Sequence, residues 1–135
     1  MTAKEFLSEA YHVDQRINSK LELVQSLRDM ATKATSTLSD APRSSSPNAH
    51  RMEDIIVKMI DLENEINADI DALVDLKRNI MLAIEEVKNV DYRTLLEQRY
   101  LCFKSWAEIA ENLRYSKDHV FTLHRKALSA IKVNS

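Results

Sequence analysis

Residues 52–87, MEDIIVKMIDLENEINADIDALVDLKRNIMLAIEEV, decide the architecture. Met52, Ile55, Met59, Leu62, Ile66, Ile70, Leu73, Leu76, Ile80, Ile84 and Val87 follow one another in ten steps over 35 residues, a mean spacing of 3.5. That period keeps an apolar stripe on one face of a helix and is the period of coiled-coil seams. At a rise of ~1.5 Å per residue the helix is roughly 50 Å long. Its stripe needs a partner, and the upstream residues offer one. Phe6, Ala10, Val13, Ile17, Leu21, Val24, Leu27 and Ala31 recur in steps of three or four, which predicts a helix over residues 3–34. Comparable lengths predict an antiparallel pair, formed within one chain or between two chains. Periodicity does not separate the two, and a homo-oligomer joined through the long helices is expected. Residues 35–50 (TSTLSDAPRSSSPNAH) hold both prolines and five serines with almost no apolar period, and read as a flexible linker or long loop.

Asp61, Glu65 and Asp69 are spaced by four on the second helix, with Asp71 and Asp75 beyond. Like charges at that spacing repel by a few tenths of a kcal/mol per pair. Paired carboxylates do acid–base work only inside a pocket, which a helix surface does not provide. The expectation is a solvated face partly neutralised by Arg16, Lys20 or Arg28 of the partner helix.

Composition narrows the class further. The 135 residues include no glycine, where average usage would supply about nine. Phosphate-cradling loops and dinucleotide folds need glycine where backbone approaches a ligand or takes positive φ, and tight β-hairpins lean on it too. The fold class is therefore all-α. Cys102 is the single cysteine, so no intramolecular disulfide forms and a cytoplasmic location is expected. Charges interrupt every apolar run, so neither a targeting peptide nor a membrane span is expected. The formal net charge is −2, but it is unevenly spread: residues 1–91 carry 11 basic and 17 acidic side chains, and residues 92–135 carry 8 basic and 4 acidic. Two parts with different partners follow, an acidic helical region over 1–90 and a basic domain over 91–135.

The basic part is built of short helices. Asn89 and Asp91 can end one helix and cap the next, Tyr92–Leu101 (YRTLLEQRYL), with Leu95, Leu96, Tyr100 and Leu101 inward. Ser105-Trp106-Ala107-Glu108 fits a capping box, and Ser116 is a good N-cap for 117–132. Ile109, Ala110 and Leu113, then Val120, Leu123, Ala127, Leu128 and Ile131, give each of the last two helices one buried face. Two helices joined by about four residues and preceded by a support make a helix-turn-helix, and the local basic charge suits nucleic acid.

The order Arg99-Tyr100, Ser105-Trp106-Ala107-Glu108-Ile109-Ala110, Leu113, Tyr115-Ser116, Val120, Arg125-Lys126-Ala127-Leu128 resembles region four of bacterial sigma factors, over residues 92–132. The whole chain resembles phage and prophage proteins related to the ArpU and RinA-type regulators of late genes. The resemblance implies a sigma region-four-like domain that binds double-stranded DNA and contacts host RNA polymerase. It places Lys117, Asp118 and Thr122 against base edges, where lysine donates to guanine, aspartate accepts from cytosine, and threonine offers a hydroxyl and a methyl. Arg99 and Lys126 match phosphate-holding positions, Ser116 offers its hydroxyl or the helix N-terminus to another phosphate, and Arg125 adds to the basic face. Phe121 stands where the family often has arginine, so one base or backbone contact is expected to be lost or replaced by an apolar contact with a thymine methyl. Arg114 stands where many such turns have glycine, at a cost of about 1 kcal/mol if the turn is left-handed.

Other residues read blandly. Ser116, Asp118 and His119 carry the letters of a triad but share one turn, whereas a triad converges from separate elements. His119 is expected toward DNA, His124 at the surface, Cys102 in a core, and Trp106 packing the start of its helix. No enzyme activity, cofactor, metal or small-molecule substrate is expected. Two competing functions remain: an adaptor that docks a protein through its acidic helices, and a small-terminase-like protein that binds packaging DNA.

Overall fold

The structure, a computed structural model, describes residues 1–39 and 47–133. These residues form helices and turns with no strand among them. The elements are α1 (Ala3–Ser39), α2 (Pro47–Glu85), α3 (Val90–Leu96), α4 (Trp106–Leu113) and α5 (Lys117–Ala130), with α3 running on into a π-helical turn at Glu97–Leu101. The all-α class is as the missing glycines predicted.

The linker expected over 35–50 is shorter than its composition suggests. Helix α1 continues to Ser39 and α2 already begins at Pro47. The Thr32 and Thr35 hydroxyls donate back to the carbonyls of Arg28 and Ala31, at 3.1 and 2.9 Å, so their polar groups are satisfied without leaving the helix. Proline is tolerated in a first helical turn because its missing N–H has no partner to lose there. What remains of the linker, residues 40–46, lies outside the described residues.

The chain divides into two compact units. The first to consider is Gln15–Asp71, where α1 and α2 pair within one chain and run antiparallel. Arg16 meets Asp69 at 3.2 Å, while Lys20 meets Asp69 at 2.7 Å and Glu65 at 3.8 Å. The expected neutralisation of the acidic face is therefore supplied by Arg16 and Lys20, and Arg28 forms no ion pair among the described residues. Asp69 is held below the usual carboxylate range, chiefly by the Lys20 hydrogen bond. Ile17, Val24, Ile55 and Ile66 are buried along the seam. Leu21 and Ile70, from the same series, stay 50% and 43% exposed. Two helices offer each other only a narrow strip, so residues at the edges of an amphipathic stripe stay wet unless a third surface arrives.

The other unit joins Met1–Asp14 to Ala72–Ser135. Its core draws on every element: Leu7 and Ala10 of α1, Ile80 and Ile84 of α2, Leu95 and Leu96 of α3, Ile109 and Ala110 of α4, and Val120, Leu123 and Ala127 of α5. Leu7 is fully buried, whereas Phe6, the residue of the predicted series, packs at the edge of the core. The expected inward residues of the last two helices are there, with Leu113 and Leu128 half-buried. Among α3, α4 and α5, the most extensive pairing is between α3 and α5.

Candidate nucleic-acid interface

Each short helix starts where a side chain can replace a missing hydrogen bond. Asn89 Oδ1 accepts from the Tyr92 N–H at 3.1 Å, Ser105 Oγ from Glu108 N–H at 3.2 Å, and Ser116 Oγ from His119 N–H at 3.2 Å. These are the predicted caps. Glu108 does not return a bond to Ser105 among the described residues; it lines a cleft instead.

Helix α4 ends at Arg114, with φ 61° and ψ 40°. The Tyr115 N–H then bonds Ala110 O at 3.0 Å and the Arg114 N–H bonds Glu111 O at 3.2 Å, which is the Schellman closure that glycine usually serves. Arginine therefore accepts the left-handed conformation here instead of opening the turn. Tyr115 braces the turn: its hydroxyl donates to Asp91 at 2.9 Å, and its ring meets His119 edge-on at 4.5 Å. The Asp91 carboxylate holds the Tyr115 hydroxyl above its usual pKa, so it stays protonated and donating.

Helix α5 turns Val120, Leu123 and Ala127 inward and leaves Lys117, Asp118, His119, Phe121, Arg125 and Lys126 exposed, with Thr122 half-exposed. Among the described residues Lys117, Arg125 and Lys126 have no acidic partner. The Thr122 hydroxyl donates to Asp118 O at 3.1 Å, a bond that uses its proton and leaves its oxygen able to accept. Ser116 is exposed, but its oxygen already caps α5. The structure thus gathers eight of the nine predicted site residues on one helix and its cap. Arg99 comes from the π turn, and its Cζ lies 4.4 Å from the centre of the Trp106 ring. Trp106 in turn meets Phe121 of α5 edge-on at 5.5 Å.

Two expectations are corrected. His124 is not at the surface but 9% exposed, packed against Tyr100 and Trp106. Burial first, then the nearby Lys4 and Arg99 charges, push its pKa down to about 4, so the ring is neutral near pH 7. Cys102 is exposed rather than part of the core. The chain turns there, and the next residue, Phe103, takes φ 56°. Phe103 is gripped between the Lys77 ammonium, 4.7 Å from the ring centre, and the edge of Tyr11 at 5.6 Å. Sequence reasoning missed the π turn, and it missed the role of Phe103 and the Tyr115–Asp91 bond because both depend on partners far along the chain. No group of three or more His, Cys, Asp or Glu residues suited to a metal occurs among the described residues. No helix there is long and apolar enough to cross a membrane.

A family described as protein of unknown function (DUF1492) matches residues 33–132, and the chain belongs to that family. No curated protein and no solved structure matches it.

Proposed function

We propose that this protein is a sequence-specific DNA-binding regulator of transcription, of the kind that phages use to switch on late genes. Its α5 helix enters the major groove of duplex DNA as the second helix of a sigma region-four-like helix-turn-helix. Lys117, Asp118, Phe121 and Thr122 face bases, while Arg99, Ser116, Arg125 and Lys126 hold phosphates and His119 lies at the margin. The observation that carries this reading is the outer face of α5, with Lys117, Arg125 and Lys126 exposed and without acidic partners. Unneutralised cations on one helical face are the electrostatic footprint of a nucleic-acid binder.

A single such domain covers few base pairs, so useful discrimination needs a second copy or a contact with host RNA polymerase. Self-association through the long helices supplies the second copy, and the exposed Leu21, Ile56, Ile60 and Ile70 support it. The protein acts in the cytoplasm, by binding and without chemistry.

The test is titration of the purified protein against fragments of its own neighbouring intergenic DNA at several salt concentrations, with light scattering on the same sample. A saturable, salt-dependent shift on one fragment, well above a scrambled control, is expected together with a mass of two chains or a small multiple. Absence of a shift at low salt from a folded protein refutes the reading. Weight then passes to an adaptor that docks a protein through its acidic helices without binding DNA. A large ring with affinity for a packaging site would point to small terminase subunits.

A further inference from the structure

Arg99 is the most constrained cation near α5. Its Nη1 donates to Lys104 O at 3.0 Å, and its guanidinium lies over the Trp106 ring at 4.4 Å. The ring is itself fixed, edge-on to Phe121 at 5.5 Å and 73° and to His124 at 4.6 Å and 62°. Arg99 is half-buried and has no carboxylate partner among the described residues, although Glu108 lines the same cleft. That cleft, about 430 Å³, opens between Arg99, Ser105, Ser8 and His12. A guanidinium has five N–H donors in a fixed fork, and one carbonyl occupies only part of it. A partly desolvated cation that is immobilised but not neutralised is poised for an anion from outside.

We infer that Trp106 is a positioning residue: its ring holds Arg99 so that the free edge of the guanidinium receives a phosphate of the DNA backbone from the cleft side. This rests on the DNA-binding reading above and adds how that contact is prepared. The ring lowers the ordering cost of a long side chain before DNA arrives, because the arginine rotamer is already chosen by the stack and by Lys104 O. It also ties the contact to α5, since Phe121 braces the same ring.

The experiment measures binding of the full chain to a short duplex of scrambled sequence across a salt series, with thermal melts of every variant. Phosphate contacts are insensitive to sequence, so this probe isolates them. Arg99→Gln is expected to flatten the slope of log K against log salt by about one unit. Trp106→Leu is expected to flatten it equally, and the double variant no further than either single one. Trp106→Phe, which keeps a ring face, is expected to retain most of the slope, and Trp106→Met, which has no ring, takes the place of Trp106→Leu in the single and double variants if Trp106→Leu does not fold. The inference is overturned if the ringless Trp106 variant lowers melting temperature but leaves the slope unchanged, or if it weakens binding as much in Arg99→Gln as in the unaltered chain. Binding by the unaltered protein with no effect of Arg99→Gln refutes this inference alone. No binding by the unaltered protein removes the DNA reading with it.

Discussion

The Tyr100 hydroxyl lies 2.6 Å from Nε2 of His124, inside the unit that carries α5. Burial raises the tyrosine pKa and lowers that of the histidine, so the bond joins a neutral imidazole to a protonated phenol, with the donor set by the imidazole tautomer. The pair is a satisfied buried hydrogen bond, and burial is what favours the uncharged histidine.

Acid should therefore loosen this unit. The His124 pKa falls from 6.5 to about 4 on folding, so the unfolded chain binds the extra proton between those values. Stability is complete above pH 6.5 and drains as pH falls toward 4, with a total on the order of 3 kcal/mol. Urea melts at pH 7 and pH 5 read the loss, and His124→Leu should remove most of this pH dependence.

Replacing Arg114 by glycine should stabilise the protein by about 1 kcal/mol, because the residue already sits at φ 61°. Chemical denaturation checks it, and a loss of stability instead would mean that the arginine side chain contributes more than its backbone costs. Glycine at Phe103 should behave in the opposite way despite a similar φ of 56°, since the ring between Lys77 and Tyr11 is lost.

Asp69→Asn should lower the melting temperature at low ionic strength, with a smaller difference at high salt as the Arg16 and Lys20 pairs are screened. The lowered Asp69 pKa favours the folded chain above the unfolded value of 3.8, and this is lost as pH falls through the folded value.

On α5, Lys117→Ala and Thr122→Ala should alter which duplex is preferred. Lys126→Ala should weaken every duplex alike and reduce the salt slope by about one unit. Competition binding against a randomised duplex pool separates the two effects, and unchanged binding in all three variants would remove α5 from the groove.

Residues 91–135 alone should not fold, because Leu7, Ala10, Ile80 and Ile84 belong to the same core as Leu95 and Val120. Circular dichroism and amide exchange on the fragment measure this directly. Native-like protection of α5 would show that the short helices suffice.

Local chemistry made much of this structure legible. Asn89, Ser105 and Ser116 are read as caps because a cap needs only a short polar side chain and the next N–H groups. The long helices follow from their period, and the outer face of α5 from the inward set Val120, Leu123 and Ala127. The hidden features are those set by distant partners. His124 looks polar in sequence, yet Tyr100 gives its ring a hydrogen bond and Trp106 covers it. Leu7 displaces Phe6 from the centre because later helices arrive on that side of α1. Thr35 resembles a linker residue until its hydroxyl is seen bonded to the preceding turn.

The core that supports α5 is assembled from the two ends of the sequence. During synthesis Leu7 and Ala10 leave the ribosome early and must wait, uncovered, for Val120 and Ala127. Contacts of such separation form slowly, and unfinished chains show apolar surface while they wait. Translation that stalls short of α5 therefore produces a chain that cannot close this unit and that invites proteolysis.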